Sequence, residues 1–339
     1  MTGIEGKLIR KGVKLNEHSS FRIGGLAHHF SEPKNVEELL KVVQYCEKQS
    51  LKPIFFGYGS NLLFPDNPSI KHCYISLKLL NKLTLADDTL IALCGTPISY
   101  LSIIGSLADI DEFKFTYLLP GSVGAATYIN ARYFEQEMAQ IIEKVSFIDL
   151  DNLAQGVQYI SNADSKFAYK TSIFQEKNWL ILETYISLRK VIEITDEIEL
   201  VLRRLSAIDS HSIVNLPSFY DFFYNQKLAL LSSCSPEWNT CFEEVEKQRA
   251  KYKHFDYPSA GSVFKNHREL GAPIGKIVDD LGLKGESVNG AMISPHHGNI
   301  IINKGGALAS DVLSLVDKVA TAIERDFGLR PVTEITIIE

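Results

Sequence analysis

Several short polar segments of this chain combine residue types that can do chemistry. Gly57-Tyr58-Gly59-Ser60-Asn61-Leu62 puts glycines, a hydroxyl and an amide into one turn directly after the apolar run Pro53-Ile54-Phe55-Phe56. Glycine lets backbone approach a ligand closely and aims successive N–H groups at one point, a nest suited to phosphate or pyrophosphate. A plain turn has the same composition, and no third glycine opens a helix here as the dinucleotide fingerprint requires. Pro120-Gly121-Ser122-Val123-Gly124-Ala125-Ala126 is a second segment without bulk. It can lie flat against something large and planar, or start a helix packed tightly on a sheet. Two such segments in one chain favour an extended cofactor bridging them.

Tyr169-Lys170-Thr171-Ser172 and Ala260-Gly261-Ser262-Val263-Phe264-Lys265-Asn266 are polar islands between apolar stretches. Ser262 lacks the second glycine of a nucleophile elbow, so a hydrolase serine is not indicated. Its hydroxyl can still donate a proton where cations lower the cost of ionisation. Lys170, Lys265 and Asn266 offer such cationic and amide donors; each taken singly also reads as surface polarity. Glu334, near the carboxy terminus among apolar neighbours, is either solvent-facing on an edge strand or functionally buried. His296-His297 does not make a metal site, because adjacent residues on an extended chain point to opposite faces. No metal is expected.

The elements that must position these residues have local signatures. Asn35 caps a helix whose buried face is Val36, Leu39, Leu40 and Val43, with Glu38 completing a capping-box-like pair. With the strand at 53–56 this makes a small α/β unit. From about Tyr74 to Leu188 short strands alternate with turns, as at Leu90-Ile91-Ala92-Leu93, Val145-Ser146-Phe147-Ile148 and Trp179-Leu180-Ile181-Leu182, so a mainly antiparallel sheet is expected. A charged helical stretch, Asp196 to Ile208, leads into Ile213 to Arg249, which holds the dense cluster Phe219-Tyr220-Asp221-Phe222-Phe223-Tyr224. Further strands are expected at Ala291-Met292-Ile293 and Ile300-Ile301-Ile302. A helix then follows from Ser310 as N-cap to Gly328 as stop, with Val312, Val316, Val319 and Ile323 on one face. A last strand is expected at Ile335 to Ile338. The class is α+β.

The chain has 339 residues, about two domains' worth. At 45% hydrophobic and 22% charged it is neither disordered nor fibrous, and no apolar run approaches the roughly 18 residues of a spanning helix. Lys+Arg 35 against Asp+Glu 41 leaves a net charge of −6. Bulk attraction to nucleic acid or anionic membrane is therefore not expected, which leaves room for a local basic pocket for a small anion. Five scattered cysteines without a CxxC pair indicate reduced thiols in a cytoplasmic protein.

Taken in order, the islands resemble the UDP-N-acetylenolpyruvoylglucosamine reductase (UDP-N-acetylmuramate dehydrogenase) family. The resemblance begins at Ser20-Phe21-Arg22-Ile23-Gly24-Gly25 and passes through the two glycine segments and Tyr169-Lys170-Thr171-Ser172-Ile173-Phe174. Its strongest part is Pro258-Ser259-Ala260-Gly261-Ser262-Val263-Phe264-Lys265-Asn266, followed by Gly282-Leu283-Lys284-Gly285 and His297-Gly298-Asn299-Ile300-Ile301-Ile302-Asn303. It implies an FAD-binding domain of the vanillyl-alcohol-oxidase (PCMH) type, residues 1–190 with subdomains of about 1–75 and 76–190. A substrate-binding domain, 191–330, follows, and a terminal strand, 331–339, carries Glu334. It implies FAD reduced by NADPH and a hydride passed to the enolpyruvyl ether of a UDP-sugar, a step of peptidoglycan precursor synthesis. By position Ser262 is then the proton donor, Glu334 its acidic partner, and Lys170 stands where the family has arginine. Gly57, Tyr58, Gly59, Ser60, Asn61, Leu62, Pro120, Gly121, Ser122, Gly124, Ala125 and Asn130 would hold FAD. Tyr169, Lys265 and Asn266 would face the substrate.

The chain also departs from the family pattern. Lysine at 170 keeps arginine's charge and loses its bidentate fork. In Asn130-Ala131-Arg132-Tyr133-Phe134-Glu135 the family's glycines have become Arg132 and Glu135, next to where the flavin ring would lie. The aromatic segment at about 210–250 lengthens the span from Lys170 to Ser262, as a lid or as an extra packed helix. These departures leave two other expectations open: a flavin oxidoreductase acting on another substrate, and a non-catalytic protein that binds FAD or a nucleotide-sugar.

Overall fold

The computed structural model describes residues 6–133, 135–188, 196–208, 216–231 and 234–339. Asn35 accepts the Glu38 amide at 2.9 Å and starts the helix Val36–Lys48, while the Glu38 carboxylate takes the Lys34 amide at 2.8 Å. Leu39, Val42, Val43 and Cys46 form the buried face of that helix. It carries the chain back to the strand Lys52–Phe56, parallel to His72–Ser76, which also pairs with His29–Ser31. Parallel pairing needs such a crossover, and the helix supplies it.

A five-stranded antiparallel sheet follows in the order Val157–Ser161, Ile142–Asp149, Trp179–Ser187, Thr89–Leu93, Leu83–Ala86. It runs through the stretch where alternating strands and turns predicted it. The short helix Val123–Tyr128 lies on its middle strand, tied by Thr127 Oγ1 to Thr184 Oγ1 at 2.9 Å in a buried contact.

The helices Asp196–Ser206, Leu216–Leu230 and Pro236–Lys251 come next. The sequence boundary at 190 groups them with the second half, but their buried side chains join the core of the first. Ile198, Val201, Leu205, Phe219, Phe223, Trp238, Phe242 and Val245 share one continuous apolar cluster with the five-stranded sheet. Gly105, inside the helix Tyr100–Ala108, explains part of this. A Cβ there would stand 2.9 Å from the Trp238 indole, so the missing side chain is the seat for the ring. Tyr117 packs tilted against Phe242, ring centres 4.5 Å apart, and donates its hydroxyl to Glu246 at 2.6 Å, where Lys227 also binds at 2.5 Å. Within the aromatic cluster Phe219 and Phe223 are buried and 4.6 Å apart. The segment is therefore packed helix rather than lid over its described part; residues 209–215 and 232–233 of it lie outside the described residues.

The last unit is a four-stranded antiparallel sheet, Ser259–Ser262, Ile300–Asn303, Ala291–Ile293, Ser287–Val288, backed by the helices Ile274–Asp280 and Ala309–Phe327. Val312, Leu315, Val316, Val319 and Ile323 recur at helical spacing and fill a second core with Ile293 and Ile301. Ser310 is not the N-cap of this helix. It begins at Ala309, and Asp66, from the first unit, accepts the Ala309 and Ser310 amides at 2.7 and 3.2 Å. A carboxylate satisfying N-terminal amides is favourable in charge and in hydrogen bonding, and no local sequence signal reports it. The chain ends by returning home: Thr336–Ile337 pairs in parallel with Leu62–Leu63. Among the described residues no helix is long and apolar enough to cross a membrane.

Candidate active site

The two glycine segments pack against each other, and both line a cleft of about 360 Å³. Gly57 has room for no side chain, because a Cβ would stand 2.4 Å from Ser122 Oγ. At Gly59 the backbone is left-handed, φ +62°, and a Cβ would lie 2.6 Å from the His18 carbonyl. Both glycines are required by close approach of one loop to another. Ser60 Oγ donates to the Pro120 carbonyl at 3.2 Å, and Ser122 Oγ accepts the Ala125 amide to open the helix behind it. Gly57, Tyr58, Gly59, Ser60, Asn61, Leu62, Gly121, Ser122, Gly124 and Ala125 all line the cleft.

Pro120 and Asn130 do not line it. Pro120 contributes the carbonyl that Ser60 holds. Asn130 is fully buried, donating to the Ala168 carbonyl at 3.0 Å and accepting the Ala139 amide at 2.9 Å. It staples two loops together. Lys177, Asn178 and Trp179 complete the far wall, and Thr336 and Ile338 the near one. No residue pattern marked these; they arrive through the five-stranded sheet and the returning terminal strand.

The cleft suits a flavin dinucleotide on this chemistry. Its lining is mostly apolar, and it carries a serine on each glycine loop and the cation of Lys177. Those are the features a planar ring joined to a diphosphate needs.

Tyr169, Lys170, Ser262, Lys265, Asn266 and Glu334 do not line the cleft; Glu334 is tied to it through Asn61, and the Lys170 turn through Tyr128. Tyr169-Lys170 sits in a tight turn closed by reciprocal Ala168–Thr171 amide-to-carbonyl bonds at 3.1 Å, with Lys170 left-handed at φ +57°. Ser172 Oγ and Gln175 Nε2 donate to the Tyr128 carbonyl at 2.6 and 2.9 Å and fix that turn to the helix end. From this turn Lys170 Nζ reaches Glu334 Oε1 at 2.7 Å, both side chains being largely buried. Glu334 is itself fixed from two sides. Its amide donates to the Val263 carbonyl at 2.7 Å, and its carbonyl accepts Asn61 Nδ2 at 3.1 Å. One residue thus links the first glycine loop and the strand of Ser262 through its backbone and the Lys170 turn through its carboxylate.

Ser262 lies at the irregular end of its strand, after Gly261 at φ +73°, and pairs with Ile300. Asn299 holds the next residues, its side chain accepting the Phe264 amide at 3.0 Å and donating to the Phe264 carbonyl at 2.9 Å. Ser20 Oγ, from the first unit, donates to the Ser259 carbonyl at 2.9 Å on the same strand. Asn266 Oδ1 accepts the Ile274 amide at 2.9 Å, which leaves its NH2 group as a donor, and the Lys265 amide donates to the Val332 carbonyl at 2.9 Å. Tyr169 is 45% exposed. Burial of its phenol and then the Glu334 charge raise its pKa above the ordinary value, while Arg132 pulls it down. In the rebuilt segment Arg132 and Glu135 pair with each other at 2.8 Å; Phe134, between them, lies outside the described residues.

Comparison with known proteins agrees with this arrangement. Residues 253–338 match the family model for the UDP-N-acetylenolpyruvoylglucosamine reductase C-terminal domain. A UDP-N-acetylenolpyruvoylglucosamine reductase of Caldanaerobacter subterraneus subsp. tengcongensis is 30% identical over 98% of this chain and 94% of its own. One from Borrelia garinii subsp. bavariensis is 29% identical over 93% of this chain and 88% of its own. The crystal structure of the Thermus caldophilus reductase shares the fold, with a TM-score of 0.68 at 24% identity, over 98% of this chain and all (100%) of that one. With a 30% identical relative aligned across nearly the whole of both chains, the protein belongs to the UDP-N-acetylenolpyruvoylglucosamine reductase family.

Proposed function

We propose that this protein reduces the enolpyruvyl ether of UDP-N-acetylglucosamine to UDP-N-acetylmuramate, using FAD and NADPH. A bound flavin supplies the redox chemistry, taking hydride from the nicotinamide and giving it to the methylene carbon of the ether. The chain does the rest. The two glycine loops bind and orient the flavin in the cleft. Ser262 Oγ donates a proton to the carbon next to the one reduced, as general acid. Lys170 balances the negative charge that builds beside the substrate carboxylate. Fixed charge placed where charge develops lowers a barrier without reorganisation.

Glu334 keeps the Lys170 amine in place. Tyr169, Lys265 and the free NH2 of Asn266 stand at the mouth for the UDP-sugar, the last two as donors to its phosphates. A nucleotide-sugar and NADPH as co-substrates put the reaction in the cytoplasm, on the way to peptidoglycan.

The observation that carries this reading is the 2.7 Å Lys170–Glu334 pair, bonded through Glu334 backbone to both Asn61 and Val263. It ties the end of the Ser262 strand, a cation and the first glycine loop to one residue. The test is anaerobic rapid mixing of the flavin-loaded protein with NADPH and then the enolpyruvyl UDP-sugar. Reduction followed by reoxidation is expected. Flavin that NADPH bleaches and this sugar never reoxidises sinks the reading.

A further inference from the structure

Ser262 sits where its strand stops being a regular ladder. Ser259–Ser262 pairs with Ile300–Asn303 through Ser259 with Ile302 and Ser262 with Ile300, and the register shifts between these pairs. Beyond Ser262 one residue takes over. The Asn299 carbonyl accepts the Val263 amide at 2.8 Å. Its side chain accepts the Phe264 amide at 3.0 Å and donates to the Phe264 carbonyl at 2.9 Å. A single side-chain amide thus offers the donor and the acceptor that one more strand residue would offer. Residues 332–334 hold the other edge of this segment. The Val263 carbonyl accepts the Glu334 amide at 2.7 Å, and the Lys265 amide donates to the Val332 carbonyl at 2.9 Å.

Asn299 is buried and is held firmly in turn. Its backbone amide donates to His297 Nδ1 at 3.2 Å, and the Ile300 amide donates to the His297 carbonyl at 3.0 Å. Gly298, between them, has no room for a side chain, because a Cβ would stand 2.5 Å from the Gly275 carbonyl in the helix Ile274–Asp280. The loop is wedged against that helix. A buried amide that spends its donor and its acceptor on one residue fixes that residue in distance and in rotation, and leaving either group unmade is costly. Only Val263 separates Phe264 from Ser262, and its amide and carbonyl are both taken, by Asn299 and by Glu334.

We propose that Asn299 is the positioning residue of the proton donor: through Phe264 and Val263 it sets where the Ser262 hydroxyl stands, in fixed relation to Glu334. This rests on the reductase reading above and deepens it. Asn299 acts through Ser262 rather than on the ligands. Displacing a reacting group by about 1 Å costs on the order of 100-fold in rate. The grip is therefore felt in the step that uses the Ser262 proton, and not in flavin reduction by NADPH, which Ser262 does not serve.

The test is stopped-flow measurement of both half-reactions in flavin-loaded wild type, Ser262→Ala, Asn299→Leu and the double variant. Leucine keeps the shape of asparagine and removes both side-chain bonds. Asn299→Leu is expected to leave flavin reduction by NADPH unchanged and to slow reoxidation by the enolpyruvyl UDP-sugar about 10- to 100-fold. In the Ser262→Ala background the same change is expected to slow reoxidation no further, because groups that act as one unit do not add. Wild-type reoxidation in Asn299→Leu, equal slowing of both half-reactions, or full additivity with Ser262→Ala overturns the proposal. If the leucine variant does not fold, Asn299→Asp keeps the shape and the bond from the Phe264 amide. Its protonated carboxyl can still donate to the Phe264 carbonyl, and its carboxylate cannot. Burial raises the pKa of such a carboxyl into the working range. Its reoxidation rate relative to wild type is expected to fall as pH rises, and a ratio that does not change with pH overturns the proposal. Wild-type flavin that the sugar never reoxidises overturns the reductase reading itself, and a Ser262→Ala protein that reoxidises normally overturns the proton-donor role; both are seen without any change at Asn299.

Discussion

Two regions follow the five-stranded sheet, and they are held by opposite means. The carboxy-terminal unit is placed by backbone. Strand pairing, the Glu334 amide on Val263, the Asn61 side chain on Glu334 and the Ser20 hydroxyl on Ser259 set the positions of Ser262 and Glu334. The helices of 196–251 are placed by side chains, with Trp238 in the seat left by Gly105 and Phe219, Phe223 and Phe242 in the first core. Directional bonds specify where a reacting atom sits; aromatic burial specifies only that a wall is present and firm. The groups that must touch a substrate come from the first kind of region. The support for a remodelled ribbon comes from the second.

The comparison can be broken at either region. The largest effect is expected in the backbone-placed unit: Ser262→Ala should lower turnover about 10²- to 10⁴-fold, the range for a general acid. Flavin reduction by NADPH should persist in it. Stopped-flow measurement of the two half-reactions checks this, and equal loss of both would remove Ser262 from the proton-donor role.

Trp238→Ala attacks the other region. Truncating a fully buried tryptophan should cost about 3–5 kcal/mol of stability, read by denaturant unfolding. If these helices were a lid, the unfolding midpoint would hardly move while substrate affinity changed.

Gly57→Ala tests the cleft itself. Its added methyl would meet Ser122 at 2.4 Å, so flavin content of the purified protein should fall. Unaltered flavin uptake would argue that the loop lies elsewhere in solution.

The smallest effect is expected at the seam between the regions. His254 lies 5.6 Å from His297 and binds Arg249 at 3.0 Å. Burial first, then Arg249 and His297, push His254 down to about 3, and burial lowers His297 as well. Both rings stay neutral in the folded protein, while an unfolded chain would protonate them near pH 6.5. The unfolded state then binds more protons, so the stability these neutral rings carry is complete above about pH 6.5 and is lost progressively toward pH 3. The slope is at most about 1.4 kcal/mol per pH unit for each proton. His254→Gln should flatten the profile of unfolding free energy between pH 7 and 5. An unchanged slope would mean the seam does not titrate.

Much of the fold was legible because its signals are local. Asn35 capping Val36–Lys48, the strands at 52–56 and 179–187, and the left-handed Gly328 stop each depend on a few neighbouring residues. The glycine loops were legible for the same reason. The start of the last helix was not, since its amides are met by Asp66 from the first unit rather than by Ser310. Lys177 and Trp179 in the cleft carried no mark, because a residue lining a pocket through tertiary placement needs no special type. The grouping of the helices at 196–251 was misread from chain order, which says nothing of which core an apolar face will join.

By itself the sequence determined the kinds of groups available: two glycine turns, a serine after a glycine bend, a lysine island and a terminal glutamate. Turn chemistry and periodicity act over a handful of residues, so they survive without the rest of the chain. Only the tertiary structure decided which of these groups meet. Lys170 reaches Glu334 because Thr336–Ile337 pairs with Leu62–Leu63, and Tyr133 is pinned by Gln248 and Arg249 from the helix Pro236–Lys251. Those contacts join segments far apart in the chain, and their formation depends on how every intervening element packs.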